Sequence, residues 1–283
     1  MDIWSIKTFL TLAEVKRLSL CAEMLCLTKS AVSSRIKQLE MQLDQQLFER
    51  SAQGMLLTNA GQRFYQHAIA MQQRWERAKK EIKQSEDASG LIRLGAHPSL
   101  ASDLLLEWGS LLNQRYANLT IHLEADYSSE IVRQVAAGAL DLGLIFVADA
   151  TTGLIVEQVF EYQLVMVSSS ATSLQQVRSE DYLYLDWGWG YNAAHSERLP
   201  QLQNSRLSCG LAELGLPWLQ KNGGTAYLPE RIAAPLLDSG KLFRVEDAPL
   251  FKRPIFATYA SDPLDQALLE HALDALADME VKA

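Results

Sequence analysis

A short stretch near the N-terminus places lysines and serines at helical spacing around an apolar stripe. The stretch is "LTKSAVSSRIKQLE", Leu27 to Glu40. Apolar residues at i, i+4, i+7 and i+11 predict one buried helix face, formed by Val32, Ile36, Leu39 and Leu43. The outer arc and its flank carry Lys29, Ser30, Ser33, Ser34 and Lys37. Lysines reach guanine edges or phosphates, and serines bond to either, so this surface suits a DNA groove.

Such a surface is also compatible with an ordinary solvated helix face, and the preceding elements bear on the choice. A first helix is predicted from apolar residues at helical spacing, Ile3, Ile6, Leu10 and Ala13. "SLCAEML" predicts a short second helix with Ser19 as its N-cap. A tight turn, "CLT", follows, and Thr28 is the expected N-cap of the third helix. This order is a helix–turn–helix, which favours the DNA interpretation.

A hairpin and a long helix follow. "QLFERSAQGMLLTNAG" has two short apolar runs around Gly54 and predicts a β-hairpin wing, from which Arg50 can reach a phosphate. Thr58 is the expected N-cap of a helix that ends near Asp87. Its apolar positions are spaced alternately by three and four residues: Gly61, Phe64, Ala68, Met71, Trp75, Ala78 and Ile82. A seam of period 3.5 predicts a coiled coil with a second copy of the chain. Packing on the protein's own body is the alternative.

The charges separate into two parts of the chain. The whole sequence of 283 residues has a formal net charge of −8. Residues 1–88 hold 13 Lys and Arg against 10 Asp and Glu, whereas residues 89–283 hold 13 against 24. An acidic second part can face away from DNA while a local basic surface contacts phosphates.

Several classes of protein are not indicated. We find no run of about 18 apolar residues and no signal-peptide pattern at the N-terminus. Cys21, Cys26 and Cys209 lack metal or redox spacing, so we expect no metal, no cofactor and a cytoplasmic location. No Gly-rich phosphate loop or nucleophile elbow is present, so we do not expect an enzyme.

The second part alternates strands and helices after a polar hinge, "SEDASG". This alternation predicts a mostly parallel α/β sheet, with helices over Ser99 to Arg115 and Leu211 to Gln220, and a helix capped by Ser128. A further unit begins near Tyr162.

A ligand site is predicted where the first strand of this part ends. Ligands of such folds bind outside the carboxyl ends of the strands, and "AHPSL" lies there. Ser99 begins a helix whose N-terminus favours an anion, and His97 and Trp187 are further candidates. His97 can equally fix the turn, Ser99 can be a plain N-cap, and the aromatic side chains can simply fill the space between lobes.

At this point the residues resemble a known family, the LysR-type transcriptional regulators. The matching pattern covers Ala22, Leu25, Thr28, Ala31-Val32-Ser33, Ile36, Leu39-Glu40, Leu43, Leu47-Phe48-Glu49-Arg50, Leu57-Thr58 and Ala60-Gly61. The resemblance implies a winged helix–turn–helix that binds an inverted-repeat operator. The family usually has Gln at Lys29 and Arg at Gln53, which bears on sequence preference and minor-groove contact. The DNA-binding set implied is Thr28, Lys29, Ser30, Ser33, Ser34, Lys37, Arg50 and Gln53.

The second part resembles the effector domain of the same family. "NGGTAYLPERIAAPLLDSGKLFRV" is close to the family pattern, and "LDWG" resembles the subgroup that regulates the flagellar master operon. The resemblance implies two α/β lobes with two crossover strands, like periplasmic binding proteins.

The predicted domains are 1–58 for DNA binding, 59–88 for the coiled coil and 89–283 for the effector. Lobe I is expected over 89–161 and 263–283, and lobe II over 162–262. A homodimer, a homotetramer through the acidic domains, and a small-molecule effector are the implied partners. The alternative is a regulator without a ligand, whose cleft is filled by its own side chains.

Overall fold

The chain forms two compact units, residues 1–88 with 136–139 and residues 89–135 with 140–283. The computed structural model describes residues 2–52, 54–82, 90–148 and 151–279. In this part of the chain, no helix combines the length and the apolar character needed to cross a membrane.

The first unit is a helix–turn–helix with a hairpin and a long helix. Its elements are α1 (Ile3–Val15), α2 (Leu18–Met24), α3 (Lys29–Leu43), β1 (Phe48–Ser51), β2 (Gly54–Leu57) and α4 (Asn59–Ile82). The predicted stripe of α3 is buried at Val32, Ile36 and Leu39, while Leu43 is exposed at the end of the helix. Burial of each such side chain contributes about 1.5–3 kcal/mol. The strands pair as predicted, with Phe48 opposite Leu57.

Side-chain caps define the starts of α3 and α4, as the sequence predicts. The Thr28 hydroxyl accepts the backbone N–H of Ala31 at 3.1 Å, and the Thr58 hydroxyl accepts that of Gly61 at 3.0 Å. The predicted cap of α2 is wrong. That helix starts at Leu18, one residue before Ser19, and its N-cap position, Arg17, makes no side-chain cap bond. Ser19 is therefore inside the first turn, where it cannot cap.

The second unit is built around a mixed sheet. The strands of the second unit are β3 (Leu91–Ala96), β4 (Thr120–Ala125), β5 (Leu142–Ile145), β6 (Leu154–Ser168), β7 (Leu183–Leu185), β8 (Leu207–Cys209), β9 (Thr225–Pro229), β10 (Phe243–Arg244) and β11 (Phe251–Ala260). β7 and β8 pair with each other in a separate two-stranded sheet. The helices of the second unit are α5 (Pro98–Leu100), α6 (Leu106–Arg115), α7 (Ser128–Ala136), α8 (Trp189–Arg198), α9 (Gly215–Asn222), α10 (Glu230–Asp238) and α11 (Gln266–Ala277).

The strand order in the main sheet is β10-β6-β11-β5-β3-β4, with β9 also paired to β6. Only β3 with β4 and β3 with β5 are parallel in this sheet, so the expected mostly parallel sheet is wrong. The reason is that β6 and β11 are long crossover strands that run antiparallel to each other. β6 pairs with β11 along most of its length and then with β9, which connects two α/β lobes as the family resemblance implies.

Three of the predicted helix boundaries in this unit shift. The helix predicted from Ser99 begins at Pro98 and contains a π-helical segment, Ala101–Leu105, between α5 and α6. Ser128 does not cap α7, because its hydroxyl accepts the N–H of Phe146 at 3.2 Å while the carbonyl of Tyr127 accepts the first helical N–H groups. The helix predicted from Leu211 is a short 3₁₀ turn, Ala212–Leu214, followed by α9.

A buried histidine lies in the aromatic core of the second lobe. The His195 ring is 1% exposed, and its Nε2 lies 2.7 Å from the Tyr182 hydroxyl. The rings of Tyr184, Tyr191 and Phe251 surround it at centroid distances of 5.1–6.2 Å. Burial lowers the pKa of His195 from 6.5 to about 4, because the charged imidazolium would lose its hydration.

This pKa makes stability depend on pH in a definite direction. Above pH 6.5 His195 is neutral in both folded and unfolded chains, so its full contribution is present. As the pH falls from 6.5 towards 4, only the unfolded chain takes up the proton, and stability is lost by up to about 1.4 kcal/mol per pH unit. We expect His195→Phe to unfold with a shallower pH dependence than the wild type when urea denaturation is measured at pH 7 and pH 5.

The matched control is His122→Phe, which replaces an imidazole whose side chain is 52% exposed. It should keep the wild-type pH dependence. Equal slopes for His195→Phe and the wild type would show that His195 does not take up its proton on unfolding.

Candidate nucleic-acid interface and ligand cavity

The predicted groove-facing residues of α3 lie on its exposed side. Lys29, Ser30, Ser34 and Lys37 are exposed and Ser33 is half-buried. Thr28 is exposed as well, and its hydroxyl lies 2.9 Å from that of Ser30. The structure thus brings six of the predicted DNA-binding side chains together on one helix, with the apolar stripe holding its other face in the core.

Glu40 fixes this helix to the hairpin, a role the sequence reasoning missed. Its Oε1 accepts the backbone N–H groups of Leu47 at 2.8 Å and Phe48 at 3.2 Å. A carboxylate that accepts two backbone N–H groups ties the end of α3 to the start of β1. The only signal in the sequence was the Leu39-Glu40 pair of the family pattern.

The hairpin carries Arg50, the seventh predicted residue, on β1 opposite Met55, with its side chain exposed. Gly54 adopts a φ of +115°, and a Cβ there would lie 2.3 Å from the backbone oxygen of Lys16. The N–H of Met55 donates to that same oxygen at 2.8 Å, so the hairpin packs against the end of α1. Gln53, the eighth residue, lies outside the described residues.

The predicted dimerisation seam divides into two parts along α4. Phe64 packs edge-on against Phe9 with ring centroids 5.0 Å apart, and Ala68 is fully buried in the core of the first unit. Both therefore serve the unit's own core, which was the alternative interpretation for the seam. In contrast, Met71, Trp75 and Ile82 are 37%, 47% and 85% exposed. Ala78 is half-buried.

A cavity of about 470 Å³ lies within the second unit. Its size falls in the usual range for small-molecule sites. The ends of β3 and β5, the start of α7, the loop before α8 and the crossover strand β11 surround it. The polar and aromatic lining residues that matter below are His97, Tyr127, Phe146, Asp186, Trp187 and Arg253.

Two of the three predicted effector residues, His97 and Trp187, line this cavity. Trp187 is 3% exposed and donates its Nε1–H to the carbonyl of Tyr227 at 3.1 Å, so it forms a fixed wall. Ser99 is buried and does not belong to the lining. Its backbone N–H donates to Nδ1 of His97 at 3.2 Å, so His97 and not Ser99 caps the helix.

His97 is held as a neutral ring. Burial, and next the nearby charge of Arg253, lower its pKa from 6.5 to about 4. Because Nδ1 accepts from Ser99, the proton of the neutral ring lies on Nε2, which can donate to a ligand.

The sequence analysis predicted neither of the two charged residues of this cavity, Asp186 and Arg253. The guanidinium of Arg253 lies 4.6 Å above the ring of Phe146, and its Nε is buried without a hydrogen-bond partner among the described residues. Burial lowers its pKa from the ordinary value. A buried guanidinium with an unused donor favours an anionic group in the cavity. Gly188 makes room for it, since a Cβ there would lie 2.7 Å from Nη2.

Comparison with known proteins places both units in one family. Residues 3–62 match the family described as "Bacterial regulatory helix-turn-helix protein, lysR family", and residues 85–280 match "LysR substrate binding domain". The chain belongs to the LysR family. It is a DNA-binding transcriptional regulator with an effector-binding domain, and this family consists of regulators, not enzymes.

Relatives of this LysR regulator cover nearly the whole chain. "HTH-type transcriptional regulator HdfR" of Yersinia enterocolitica is 29% identical over 283 residues, which is 96% of this chain and 95% of the relative. HdfR of Yersinia pestis has the same identity and coverage. These relatives agree with the subgroup likeness predicted from "LDWG".

Solved structures share the fold. The LysR family regulator CbnR has a TM-score of 0.69 at 15% identity, covering 98% of each chain. Full-length CbnR complexed with its target DNA has a TM-score of 0.68 at 16% identity, covering 98% of this chain and 99% of the other.

Proposed function

We propose that this LysR regulator reads an inverted-repeat operator with α3 in the major groove and Arg50 on a phosphate. The observation that carries the proposal is the exposed arc of Lys29, Ser34 and Lys37 opposite a fully buried stripe. A dimer would present two such helices about one DNA turn apart, roughly 34 Å, on one face of the duplex. Because "LDWG" resembles the subgroup that regulates the flagellar master operon, that operon is the target to examine first.

Truncation of the charged contacts tests this interface. We expect Lys37→Ala and Arg50→Ala to weaken binding to all sequences and to reduce the salt slope of the affinity by about one unit each. Lys29→Gln should instead change which sequence is preferred. The measurement is fluorescence anisotropy at several salt concentrations, with a duplex selected from a random library by the wild-type chain and with an unselected duplex.

The control is Lys241→Ala, which removes an exposed lysine of the acidic second unit. It should leave both the affinity and the salt slope unchanged. Wild-type slopes for Lys37→Ala and Arg50→Ala would contradict the proposed docking of α3 and the wing.

We also propose that the cavity binds a small effector with an anionic group, contacted by His97, Arg253 and Trp187. Ser99 takes part indirectly, because its N–H orients the His97 ring. A ligand can regulate DNA binding only by preferring one arrangement of the protein, so the effector must alter DNA affinity or bending. The competing view is a cleft closed by the protein's own aromatic side chains. Two observations argue against it. The cavity has a volume of about 470 Å³, and the Trp189 side chain is 87% exposed and so does not fill it.

A further inference from the structure

Two opposite charges line the proposed effector cavity without pairing with each other. Arg253 comes from β11 and Asp186 from the loop before α8. No salt bridge between these two described side chains is found, and no described residue forms a hydrogen bond with the Arg253 guanidinium. Both charged groups are therefore available to an occupant of the cavity.

Asp186 is held in place by its own loop. Its Oδ1 accepts the backbone N–H of Gly188 at 2.8 Å and Nδ2 of Asn192 at 2.8 Å. Within the described residues, Oδ2 has no donor. The carboxylate is thus oriented by one oxygen and can accept a hydrogen bond from a ligand with the other.

The charge balance of the lining argues against a plain anion. Since His97 is neutral, the ionised groups of the lining are one guanidinium and one carboxylate. A ligand with only a negative charge would satisfy Arg253 but would be repelled by Asp186, whereas a ligand with both charges would satisfy each.

The remaining walls indicate what lies between the charges. Phe146 and Trp187 meet edge to face with ring centroids 6.4 Å apart, and Val132 and Val147 complete an apolar wall. Such a wall suits an aliphatic or aromatic side chain.

We propose that the effector is an α-amino acid with an apolar side chain, whose carboxylate binds Arg253 and whose ammonium group binds Asp186. This inference depends on the proposed function of the cavity. It also assigns Asp186 as the residue that distinguishes an amino acid from the corresponding simple carboxylate.

The experiment compares matched probes on the full-length protein. The standard apolar amino acids are titrated by isothermal calorimetry and thermal shift, each beside its single-charge analogues. For phenylalanine these analogues are 3-phenylpropionate, which lacks the amine, and phenethylamine, which lacks the carboxylate. We expect at least one amino acid to bind about 10-fold or more tightly than either analogue, because each analogue lacks one of the two charged hydrogen bonds to the cavity.

Three variants assign the charges. Asp186→Asn should abolish the preference for the amino acid over its carboxylate analogue, and Arg253→Met should weaken both of these ligands. Arg253→Lys, which keeps the charge but not the planar fork, should retain intermediate binding. The unfolding midpoint without ligand shows whether each variant is folded.

Each outcome has a separate meaning. Equal binding of the amino acids and their carboxylate analogues would overturn the zwitterion inference and leave the cavity as an anion site. Binding of neither class, to the wild type or to any variant, would overturn the inference and remove support for the effector cavity as well. Binding that survives Arg253→Met unchanged would place the ligand elsewhere on the protein.

Discussion

Arg231→Met is expected to destabilise the second unit by about 3–5 kcal/mol, because it leaves the largely buried carboxylate of Asp103 without its cation. Arg231 Nη2 lies 3.0 Å from Asp103 Oδ1 and 2.6 Å from Glu107 Oε2. The side chains of Arg231 and Asp103 are only 18% and 16% exposed. Burial already raises the pKa of Asp103 despite this partner, so loss of the cation would disfavour its ionised form further. Urea unfolding monitored by circular dichroism measures the loss.

The same substitution at an exposed pair is the matched control. Arg178 pairs with Asp181 at 2.6 Å, but these side chains are 74% and 51% exposed. Exposed ion pairs contribute about 0–1 kcal/mol, so Arg178→Met should stay close to the wild type. If the two variants lost equal stability, the pairing of Arg231 would be no more important than a surface contact.

The position of this network connects it to the cavity. Asp103 lies in the π-helical segment and also accepts the hydroxyl of Tyr162 at 2.7 Å. The Tyr162 ring meets that of Trp187, a cavity wall, with centroids 6.5 Å apart. Arg231 is on α10 and Tyr162 on β6, so the network links the π-helical segment to α10 and to a crossover strand.

Local rules explain why the first unit was well predicted from the sequence. Val32, Ile36 and Leu39 recur at helical spacing, and all three are buried on one face of α3. The caps at Thr28 and Thr58 each involve a backbone N–H only three residues further along the chain. The missed cap at Ser19 shows the limit of these rules. A serine one residue inside a helix has the same sequence signature as a serine at its N-cap.

Residues that act through distant contacts were not predictable in this way. Arg253 is separated from His97 by most of the second unit, and only the antiparallel course of β6 and β11 brings it to the cavity. Sequence periodicity reports the type of an element but not the direction in which a distant strand pairs. The same limit explains why the sheet was expected to be mostly parallel.

The seam of α4 shows a further limit, because a helix face that fits a partner also fits the protein's own core. Phe64, Ala68 and Trp75 belong to the same seam of alternating three- and four-residue spacing. Phe64 and Ala68 nevertheless pack inside the first unit. We therefore propose that dimerisation depends mainly on the second half of the seam, at Met71, Trp75, Ala78 and Ile82.

Trp75→Glu is expected to produce monomers and to lower affinity for the selected operator duplex by about 10²–10⁴-fold. The Trp75 side chain is 47% exposed in a single chain, so a glutamate there is tolerated by the monomer. In a coiled coil it would bury an unpaired charge, which is costly. Loss of the dimer removes the second half-site contact and with it an avidity of that size. Sedimentation velocity and anisotropy measure the two effects on the same preparation.

Two further variants separate dimerisation from general damage. Trp75→Phe keeps an aromatic side chain in the seam and should remain dimeric. Trp189→Glu introduces the same charge at a tryptophan that is 87% exposed in the second unit. It should change neither the mass of the sedimenting oligomer nor the affinity for the operator duplex. A Trp75→Glu protein that sediments as the wild-type oligomer would contradict the coiled-coil proposal. In that case the exposed part of α4 must face something other than a second copy of this helix.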